Sequence, residues 1–408
     1  MFNTQSYDVA IVGGGMVGLA TAIGLAQANI STIVIDAGSV EAISGEPKLR
    51  VSAINKASQN LLANIGAWQY VNPERLGDYD TMEVWTKDGL GSIKFDAQSQ
   101  NEPLLGSIVE NDNVSNALTK RAAELEQLTH IQNLKVSNIA FGDREAWLTL
   151  ENGDNLTAAV VIAADGANSW VRQQSKIPLS FWDYDHHAIV ATIKTELPHQ
   201  NCARQVFLSD GPLAFLPLNQ DNLCSIVWSV PPQKAQALLA MDDDEFSKSL
   251  TAAFDARLGL CSVDSERLSF PLKMRYARHF ARQRLILAGD AAHTIHPLAG
   301  QGVNLGFLDA ASIIETLSEL KQQGKDLGEY QNLRQLERWR KAEAVEMIAA
   351  MESIKRLFSG DNLFKKALRD FGLNLVDQFG ILKTVFAKQA LGQKARLPKL
   401  CKPSSTEY

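Results

Sequence analysis

Cysteine is scarce in this sequence, and long apolar runs are missing. The 408 residues include only four cysteines, none in a C-x-x-C pair, so neither a disulfide framework nor a metal knuckle is predicted. No stretch holds the roughly 18 uncharged apolar residues that a membrane-spanning helix needs. The first seven residues lack the basic and apolar regions of a signal peptide. We therefore expect a protein of the reducing cytoplasm that meets a membrane only from the side.

Several kinds of site are also missing. A G-x-S-x-G nucleophile elbow and a P-loop are absent, which argues against a serine hydrolase and a nucleoside triphosphatase. No group of His, Asp and Glu has metal-ligand spacing, since the adjacent His186 and His187 would point to opposite faces of a strand. The net charge is −6, and no aromatic-basic array resembles a nucleic-acid recognition surface. We predict no metal site and no nucleic-acid partner.

The charge is distributed unevenly along the chain. Between Lys355 and Leu400 there are ten Lys and Arg against three Asp, so a basic appendage follows an acidic body. Leu and Phe recur through the same stretch at intervals that favour helices packed on the rest of the protein.

A βαβ unit is predicted at the start of the chain. Tyr7 to Val12 is an apolar run that ends in glycines, Met16 to Ala28 is rich in Ala and Leu, and Ser31 to Ile35 is rich in β-branched residues. This order of strand, glycine turn, helix and strand is typical of a dinucleotide-binding sheet. The apolar runs Ala159 to Ala163 and Arg284 to Leu287 are predicted to return to the same sheet.

A second sheet is predicted in the middle of the chain. Ala188 to Lys194, Leu213 to Leu218 and Leu223 to Val230 resemble strands but do not alternate with long helices, which favours an antiparallel layer inserted between pieces of the first domain. From Leu308 onward the pattern is mainly helical, with breaks near glycines.

The first motif with chemical meaning is the G-x-G-x-x-G run of residues 13–18, which follows a predicted strand and opens a helix. Gly13 allows a tight turn, Gly15 lets a pyrophosphate approach the backbone, and Gly18 lets helix and strand pack closely. Asp36 ends the second strand, where a carboxylate can accept hydrogen bonds from an adenosine ribose. The motif predicts a dinucleotide site but does not decide between NAD and FAD.

Two later motifs favour a flavin. Asp165-Gly166 and Gly289-Asp290 each follow an apolar strand, so each places a carboxylate at the carboxyl edge of the sheet, where Asp290 could hold ribityl hydroxyls. Residues 297–304, of sequence PLAGQGVN, then offer backbone N–H groups ahead of another helix. Such donors could stabilise negative charge on a reduced isoalloxazine ring.

These segments, together with residues 49–54, resemble the FAD-dependent aromatic hydroxylases of the p-hydroxybenzoate hydroxylase fold. Residues 50–55 and 293–306 are most similar to the ubiquinone-biosynthesis branch, and within it to the bacterial 2-polyprenylphenol hydroxylases. The resemblance implies an α/β fold, in which a Rossmann-like FAD-binding domain carries an inserted, mainly antiparallel β-sheet substrate domain and C-terminal helices. We predict a discontinuous FAD-binding domain at 1–75, 100–180 and 275–335, a substrate domain at 76–99 and 181–274, and a helical region at 336–408.

The resemblance also implies roles for single residues. It places four residues on the ADP half of FAD: Gly13, Gly15, Gly18 and Asp36. It places Arg50 near the phosphates and the ring, and Asp290 on the ribityl chain. Beside the isoalloxazine it places Gly300, Gln301, Gly302 and Asn304.

The Asp165-Gly166 motif is associated in this family with FAD and NAD(P)H binding, with support from Arg172. Asn111 departs from the family pattern, since many relatives have an arginine there that touches FAD. Asparagine can still form a hydrogen bond but adds no charge.

The implied reaction uses FAD, O2 and NAD(P)H as reductant. Reduced flavin reacts with O2 to give a C4a-hydroperoxide, whose distal oxygen is attacked by the electron-rich ring of a polyprenylphenol. Such a reaction needs a dry pocket and an acceptor that activates the phenol. The activating residue is left open, with four candidates: Tyr184, His187, His296 and Pro297.

A polyprenyl substrate would not leave a bilayer freely, so part of the basic C-terminal surface is predicted to meet anionic lipid or another ubiquinone-biosynthesis protein at the inner face of the membrane. Two alternatives to a monooxygenase stay open. One is a flavin-dependent reductase or dehydrogenase of a prenylated substrate, and the other is a non-catalytic member that binds a prenylated protein.

Overall fold

The computed structural model describes residues 5–39, 48–87, 92–294, 302–358, 392 and 396–403. These residues form a mixed arrangement of strands and helices. In chain order the strands are β1 (Gln5–Val12), β2 (Thr32–Ile35), β3 (Val51–Asn55), β4 (Leu76–Tyr79), β5 (Thr81–Thr86), β6 (Ser92–Asp96), β7 (Gly106–Glu110), β8 (Leu128–Ile131), β9 (Val136–Phe141), β10 (Ala146–Leu150), β11 (Asn155–Ala163), β12 (Leu179–Thr195), β13 (Cys202–Leu208), β14 (Gly211–Pro217), β15 (Leu223–Val230), β16 (Cys261–Val263), β17 (Leu268–Ala277), β18 (Ala281–Arg282), β19 (Leu285–Leu287) and β20 (His293–Thr294).

The α-helices of the described residues are spread along the whole chain. In chain order they are α1 (Met16–Gln27), α2 (Lys56–Asn64), α3 (Asn111–Ala122), α4 (Trp170–Gln174), α5 (Pro232–Ala240), α6 (Asp243–Ala253), α7 (Gly302–Gln322) and α8 (Tyr330–Phe358). No helix in these ranges is long and apolar enough to cross a membrane.

The first sheet is built on the parallel strands β19, β11, β1, β2 and β8, in that order. Val9, Ala10 and Ile11 of β1 have no exposed surface, as expected for a central parallel strand covered on both faces. The helix α1 crosses α7 closely, since a Cβ at Gly24 would lie 2.3 Å from Ile314 Cδ1. The antiparallel strands β9 and β10 extend this sheet from β11.

The second sheet has nine strands in the order β20-β17-β12-β15-β14-β13-β5-β6, with β16 paired to β12. All its neighbouring pairs are antiparallel except β5 with β13. One face is covered by α5 and α6, where Ile189, Leu238 and Phe246 share a buried cluster. The other face holds Ala188, Leu272 and Met274, which pack with Ile348 of α8. The predicted mixed fold, with an inserted and mainly antiparallel sheet, is confirmed.

A third sheet, β3-β7-β4, joins the other two. Its strand β4 pairs with β7, although the sequence suggested the substrate sheet for residues 76–99. The strands β12, β17 and β20 also cross the predicted limits, because β12 begins at Leu179 and β20 follows Asp290. The domain limits therefore stay a prediction, whereas the membership of each strand in its sheet follows from its pairing.

The elements predicted at the start of the chain agree with the structure within about a residue or two, as helix and strand ends usually do. The predicted C-terminal helices are seen as far as Phe358. Most of the basic stretch between Lys355 and Leu400 lies outside the described residues. Residues 396–403 lie on the first domain, where Asn64 Nδ2 donates to Leu400 O at 2.8 Å and Lys399 N donates to Glu315 Oε2 at 2.7 Å.

The third sheet touches the second at Gly77, where the contact leaves no room for a side chain. A Cβ on Gly77 would lie 2.0 Å from Pro217 O of β14. We expect Gly77→Ala to lower the free energy of unfolding by about 3 kcal/mol, because the backbone at both sides would have to move. Denaturant unfolding of the FAD-free protein measures this. Gly38→Ala is the control, since a Cβ on Gly38 meets nothing within 4 Å; equal stabilities for the two variants would contradict the prediction.

Candidate functional site

The glycine turn after β1 is held closed by backbone contacts. Gly13 has a φ of +108°, and a Cβ there would lie 2.4 Å from Ala164 O at the end of β11. A Cβ on Gly18 would lie 2.0 Å from Gly13 O. Both positions therefore require glycine for the fold itself, because any side chain would separate α1 from the sheet.

The N-terminus of α1 is open beside this turn. Gly15 is the N-cap, no side chain caps the helix, and the first turn has no acidic residue. A Cβ on Gly15 would meet nothing within 4 Å. Free N–H groups at the positive end of a helix dipole form an anion site, so this end of α1 can receive a pyrophosphate.

Asp36 lies directly beside the same turn. A Cβ on Gly14 would be 2.5 Å from Asp36 Oδ2, and Gly38 N donates to Asp36 Oδ1 at 3.3 Å. The carboxylate is half-buried and sits one strand away from the helix N-terminus. It is therefore placed to accept hydrogen bonds from a ribose whose phosphates lie on α1.

The turn that carries Asp290 packs on the first turn of α1. A Cβ on Gly306 would lie 2.7 Å from Val17 Cγ2, and one on Gly289 would lie 3.2 Å from the same atom. Gly289 has a φ of +57°, which suits glycine at this sharp turn. Segments around positions 13–18, 36, 289 and 306 therefore meet at one end of α1, within reach of a single extended cofactor.

Asp290 itself is exposed to solvent, at the centre of the short turn Gly289–Ala291. Burial among the surrounding protein atoms raises the pKa of its carboxyl, while His293 and Arg275 lower it. The carboxylate is open for hydrogen bonds with a ligand.

The Asp165-Gly166 loop is tied to the Asp290 turn by Arg172. The buried guanidinium of Arg172 donates to Ala291 O at 2.8 Å and to Ala167 O at 2.9 Å. Burial lowers its pKa, Asp165 raises it, and Arg275 lowers it. Asp165 Oδ2 accepts from Val171 N at 3.1 Å, so this carboxylate organises its own loop.

Arg50 reaches from the first domain toward the second sheet. Its side chain is exposed, and Cζ lies 5.1 Å from the centroid of the Phe270 ring on β17. Its backbone is fixed, since Asn111 N donates to Arg50 O at 2.9 Å and Ser52 Oγ donates to Asn111 Oδ1 at 2.7 Å. No motif in the sequence pointed to Phe270, because its contact with Arg50 spans more than 200 residues.

Asn304 connects β3, the strand that follows Arg50, to α7. Its side-chain Nδ2 donates to Ala53 O at 2.8 Å, and its Oδ1 accepts from Asn55 N at 3.1 Å. These bonds hold the Arg50 strand against the helix that begins at Gly302. The resemblance placed Asn304 beside the isoalloxazine, and the structure adds this fastening role for its amide.

The candidate His187 lies on the face of the second sheet opposite Phe270. Along the β12–β17 ladder Ala188 pairs with Phe270 and Ile189 pairs with Ser269. His187 Nδ1 lies 3.1 Å from Ser269 Oγ, so the imidazole shares the face covered by α5 and α6, opposite Phe270. The Tyr184 side chain and four other predicted positions lie outside the described residues: His296, Pro297, Gly300 and Gln301.

The arrangement fits FAD. The open end of α1 suits the pyrophosphate, Asp36 the ribose and Asp290 the ribityl chain, and these groups lie in one row along the carboxyl edge of the parallel sheet. Among the described residues there is no group of three His, Cys, Asp or Glu that could hold a metal ion.

Comparison with known proteins also indicates FAD. The sequence matches the FAD binding domain family over residues 6–345. It is 35% identical to 3-demethoxyubiquinol 3-hydroxylase of Escherichia coli, covering 95% of this chain and 99% of that protein. It is 34% identical to the mitochondrial ubiquinone biosynthesis monooxygenase COQ6 of Danio rerio, covering 93% of this chain and 88% of that protein.

Solved structures agree on the fold. The crystal structure of p-nitrophenol 4-monooxygenase PnpA from Pseudomonas putida covers 97% of this chain and 100% of its own, with a TM-score of 0.76 and 20% identity. Fold and site together define an FAD-dependent aromatic monooxygenase. The chain belongs to the family of FAD-binding monooxygenases that contains the ubiquinone-biosynthesis hydroxylases.

The contrast between Gly15 and Gly18 provides a test of the cofactor site. Gly15→Ala should fold normally, because its Cβ has free space and its φ of −70° suits alanine. It should nevertheless raise the Kd for FAD by about tenfold, since the methyl group would stand where the pyrophosphate approaches. Gly18→Ala should lower the stability of the FAD-free protein instead. Thermal unfolding of the apoprotein and FAD titration separate the two; normal FAD affinity in a folded Gly15→Ala protein would refute the phosphate assignment.

Proposed function

We propose that this enzyme hydroxylates the aromatic ring of a 2-polyprenylphenol in ubiquinone biosynthesis, with NAD(P)H as reductant and O2 as oxidant. The observation that carries the proposal is the meeting of three distant chain segments at the N-terminus of α1, together with a second sheet whose side toward Arg50 is apolar. The resemblance of residues 50–55 and 293–306 to polyprenylphenol hydroxylases supports the choice of substrate.

The name of a relative suggests a second candidate substrate. The Escherichia coli protein, 35% identical over nearly its whole length, is named for the hydroxylation of 3-demethoxyubiquinol. Both substrates are electron-rich prenylated rings, so both suit the same chemistry. The second candidate for this chain is therefore a later and more substituted ring of the same pathway.

We propose the following cofactor roles for the predicted residues. Gly13, Gly15 and Gly18 shape the phosphate site, and Asp36 receives the ribose. Asp290 holds the ribityl chain, and Arg50 lies between the cofactor and the second sheet. Asp165, Gly166 and Asn111 stay candidates for cofactor binding. Asp165 Oδ2 and Asn111 Oδ1 accept from nearby chain, whereas the buried Asp165 Oδ1 has no partner among the described residues and can accept from a ligand.

The chemistry that FAD would supply here, when bound and reduced, is the activation of O2 for transfer of one oxygen atom to a nucleophilic ring. The chain contributes binding, orientation and exclusion of water. The side of the second sheet that carries Phe270 is apolar, because Ala188, Leu272 and Met274 are buried in it, and Arg50 stands over the half-buried Phe270. It therefore suits an aromatic ring and a prenyl chain. We place the substrate ring on this side, between β17 and the cofactor edge.

A direct test uses the FAD-loaded protein reduced by NADH or NADPH without oxygen. Admission of 18O2 together with a short-chain 2-prenylphenol should give a product heavier by one 18O atom, detected by mass spectrometry. A short-chain 3-demethoxyubiquinol in a parallel reaction decides between the two substrates. Reoxidation with no labelled product from either ring would favour the reductase alternative, and purification of a protein that binds no FAD would favour a non-catalytic role.

We also propose that the basic C-terminal region brings the enzyme to an anionic membrane surface, where a polyprenylated substrate resides. Deleting the whole region is a poor test, because Leu400 and Lys399 are bonded to the first domain. Substitution of the basic residues tests the charge alone, because it leaves the contacts of Lys399 and Leu400 intact.

Replacing five basic residues of this region by glutamine should weaken binding to anionic vesicles by at least tenfold, because each charge near the surface contributes about 1 kcal/mol. They are Lys365, Lys366, Arg369, Lys383 and Lys388. The control replaces five exposed lysines of the body: Lys120, Lys135, Lys176, Lys248 and Lys325. Vesicle flotation measures both variants, and equal losses, or none, would refute a specific basic surface.

A further inference from the structure

A cluster of three ionisable residues lies buried beneath the Asp290 turn. Asp309 of α7 is 1% exposed, and His293 and Arg340 are each 3% exposed. Asp309 Oδ2 lies 2.6 Å from His293 Nε2, and Arg340 Nε donates to Asp309 Oδ1 at 2.7 Å. The cluster therefore joins β20, α7 and α8 through the side chains of three separate elements.

The carboxylate of Asp309 is ionised in spite of its burial. Burial alone would raise the pKa, but the charges of His293 and Arg340 and their hydrogen bonds bring it below the ordinary value. A buried charge is tolerated only when it is paired and hydrogen-bonded. Removal of the Asp309 charge would leave Arg340 without its partner in the protein interior.

The cluster also holds the turn that presents Asp290. Gly289 N donates to Asp309 Oδ2 at 3.0 Å, which fixes the residue just before Asp290. On the far side of the same turn, Ala291 O accepts from Arg172 at 2.8 Å. The backbone on both sides of Asp290 is thus held by a buried charged side chain, while the Asp290 carboxylate stays exposed.

We propose that Asp309 is a positioning residue of the FAD site: it fixes the Gly289–Ala291 turn, and Arg340 of α8 keeps Asp309 in place. The inference rests on the proposed contact between Asp290 and the ribityl chain. It connects the cofactor site to α8, whose Ile348 packs on the substrate side of the second sheet. Asp309 touches no substrate and acts only through the turn.

A second ion pair in the same domain, between the buried Arg284 and the exposed Asp326, provides a control. Arg284 is 2% exposed and pairs with Asp326, with Nη2 donating to Asp326 Oδ2 at 2.6 Å. Its other contacts are the carbonyls of Asp143 and Ala159. This pair holds the sheet edge and bonds to no residue assigned to FAD, so its loss affects stability alone.

The experiment compares Asp309→Asn with Asp326→Asn in the full-length protein. Both should lower the thermal midpoint of the apoprotein. Only Asp309→Asn should raise the Kd for FAD, by about tenfold or more, and change the visible circular dichroism of bound flavin. Arg340→Lys keeps the positive charge and should fold even where Asp309→Asn does not; its Kd should rise by about threefold.

The Asp290→Ala variant distinguishes failure of the positioning role of Asp309 from failure of the ribityl assignment of Asp290. Weak FAD binding in Asp290→Ala with normal binding and normal dichroism in Asp309→Asn, or in Arg340→Lys where the first is unfolded, would overturn the positioning role alone. Normal FAD binding in Asp290→Ala would overturn the ribityl assignment. Equal rises in Kd for Asp309→Asn and Asp326→Asn would show a general effect of stability and would also overturn the positioning role.

Discussion

The close packing of the first turn of α1 is the constraint on which the cofactor site depends. Gly18 lies against Gly13 O, and Val17 lies against Gly289 and Gly306. These contacts bring the proposed phosphate and ribityl ends of the site to one helix terminus. A larger side chain at Gly18, Gly289 or Gly306 would push one segment away, and the distances along an extended cofactor would no longer match.

Side chains connect the first domain to the second sheet. They come from Arg50 just before β3, from β17 and from α8. Arg50, just before β3, extends to Phe270, and Ile348 of α8 packs against Leu272 and Met274. Asn304 and Asn111 fix the backbone from which Arg50 projects. An enzyme that must hold a cofactor against a separate substrate needs such connections, because an error of about 1 Å can cost about a hundredfold in rate.

The sequence predicted those features that depend on residues close together in the chain. The βαβ start, the glycine turn and Asp36 follow from spacing within about thirty residues, and the antiparallel sheet follows from strands without helices between them. Partners far apart in sequence were not predictable. Asp309 is one acid in an apolar stretch of helix, and nothing in its neighbouring sequence reveals that Arg340 and His293 meet it. The face of His187 likewise depends on the register of β12 against β17.

The features that hold the cofactor do not determine the substrate. PnpA of Pseudomonas putida shares this fold at a TM-score of 0.76 with only 20% identity, so one scaffold accepts very different sequences. In the proposed function, discrimination between prenylated rings comes from the second sheet, where Phe270, Leu272 and Met274 share the face toward α8. An apolar wall separates substrates that differ by a methylene by only about 1–3 kcal/mol, whereas polar groups separate them far more strongly. If the ring lies on this side as we propose, Arg50, the charged group above Phe270, is the residue best placed to distinguish a bare phenol from a more oxygenated ring.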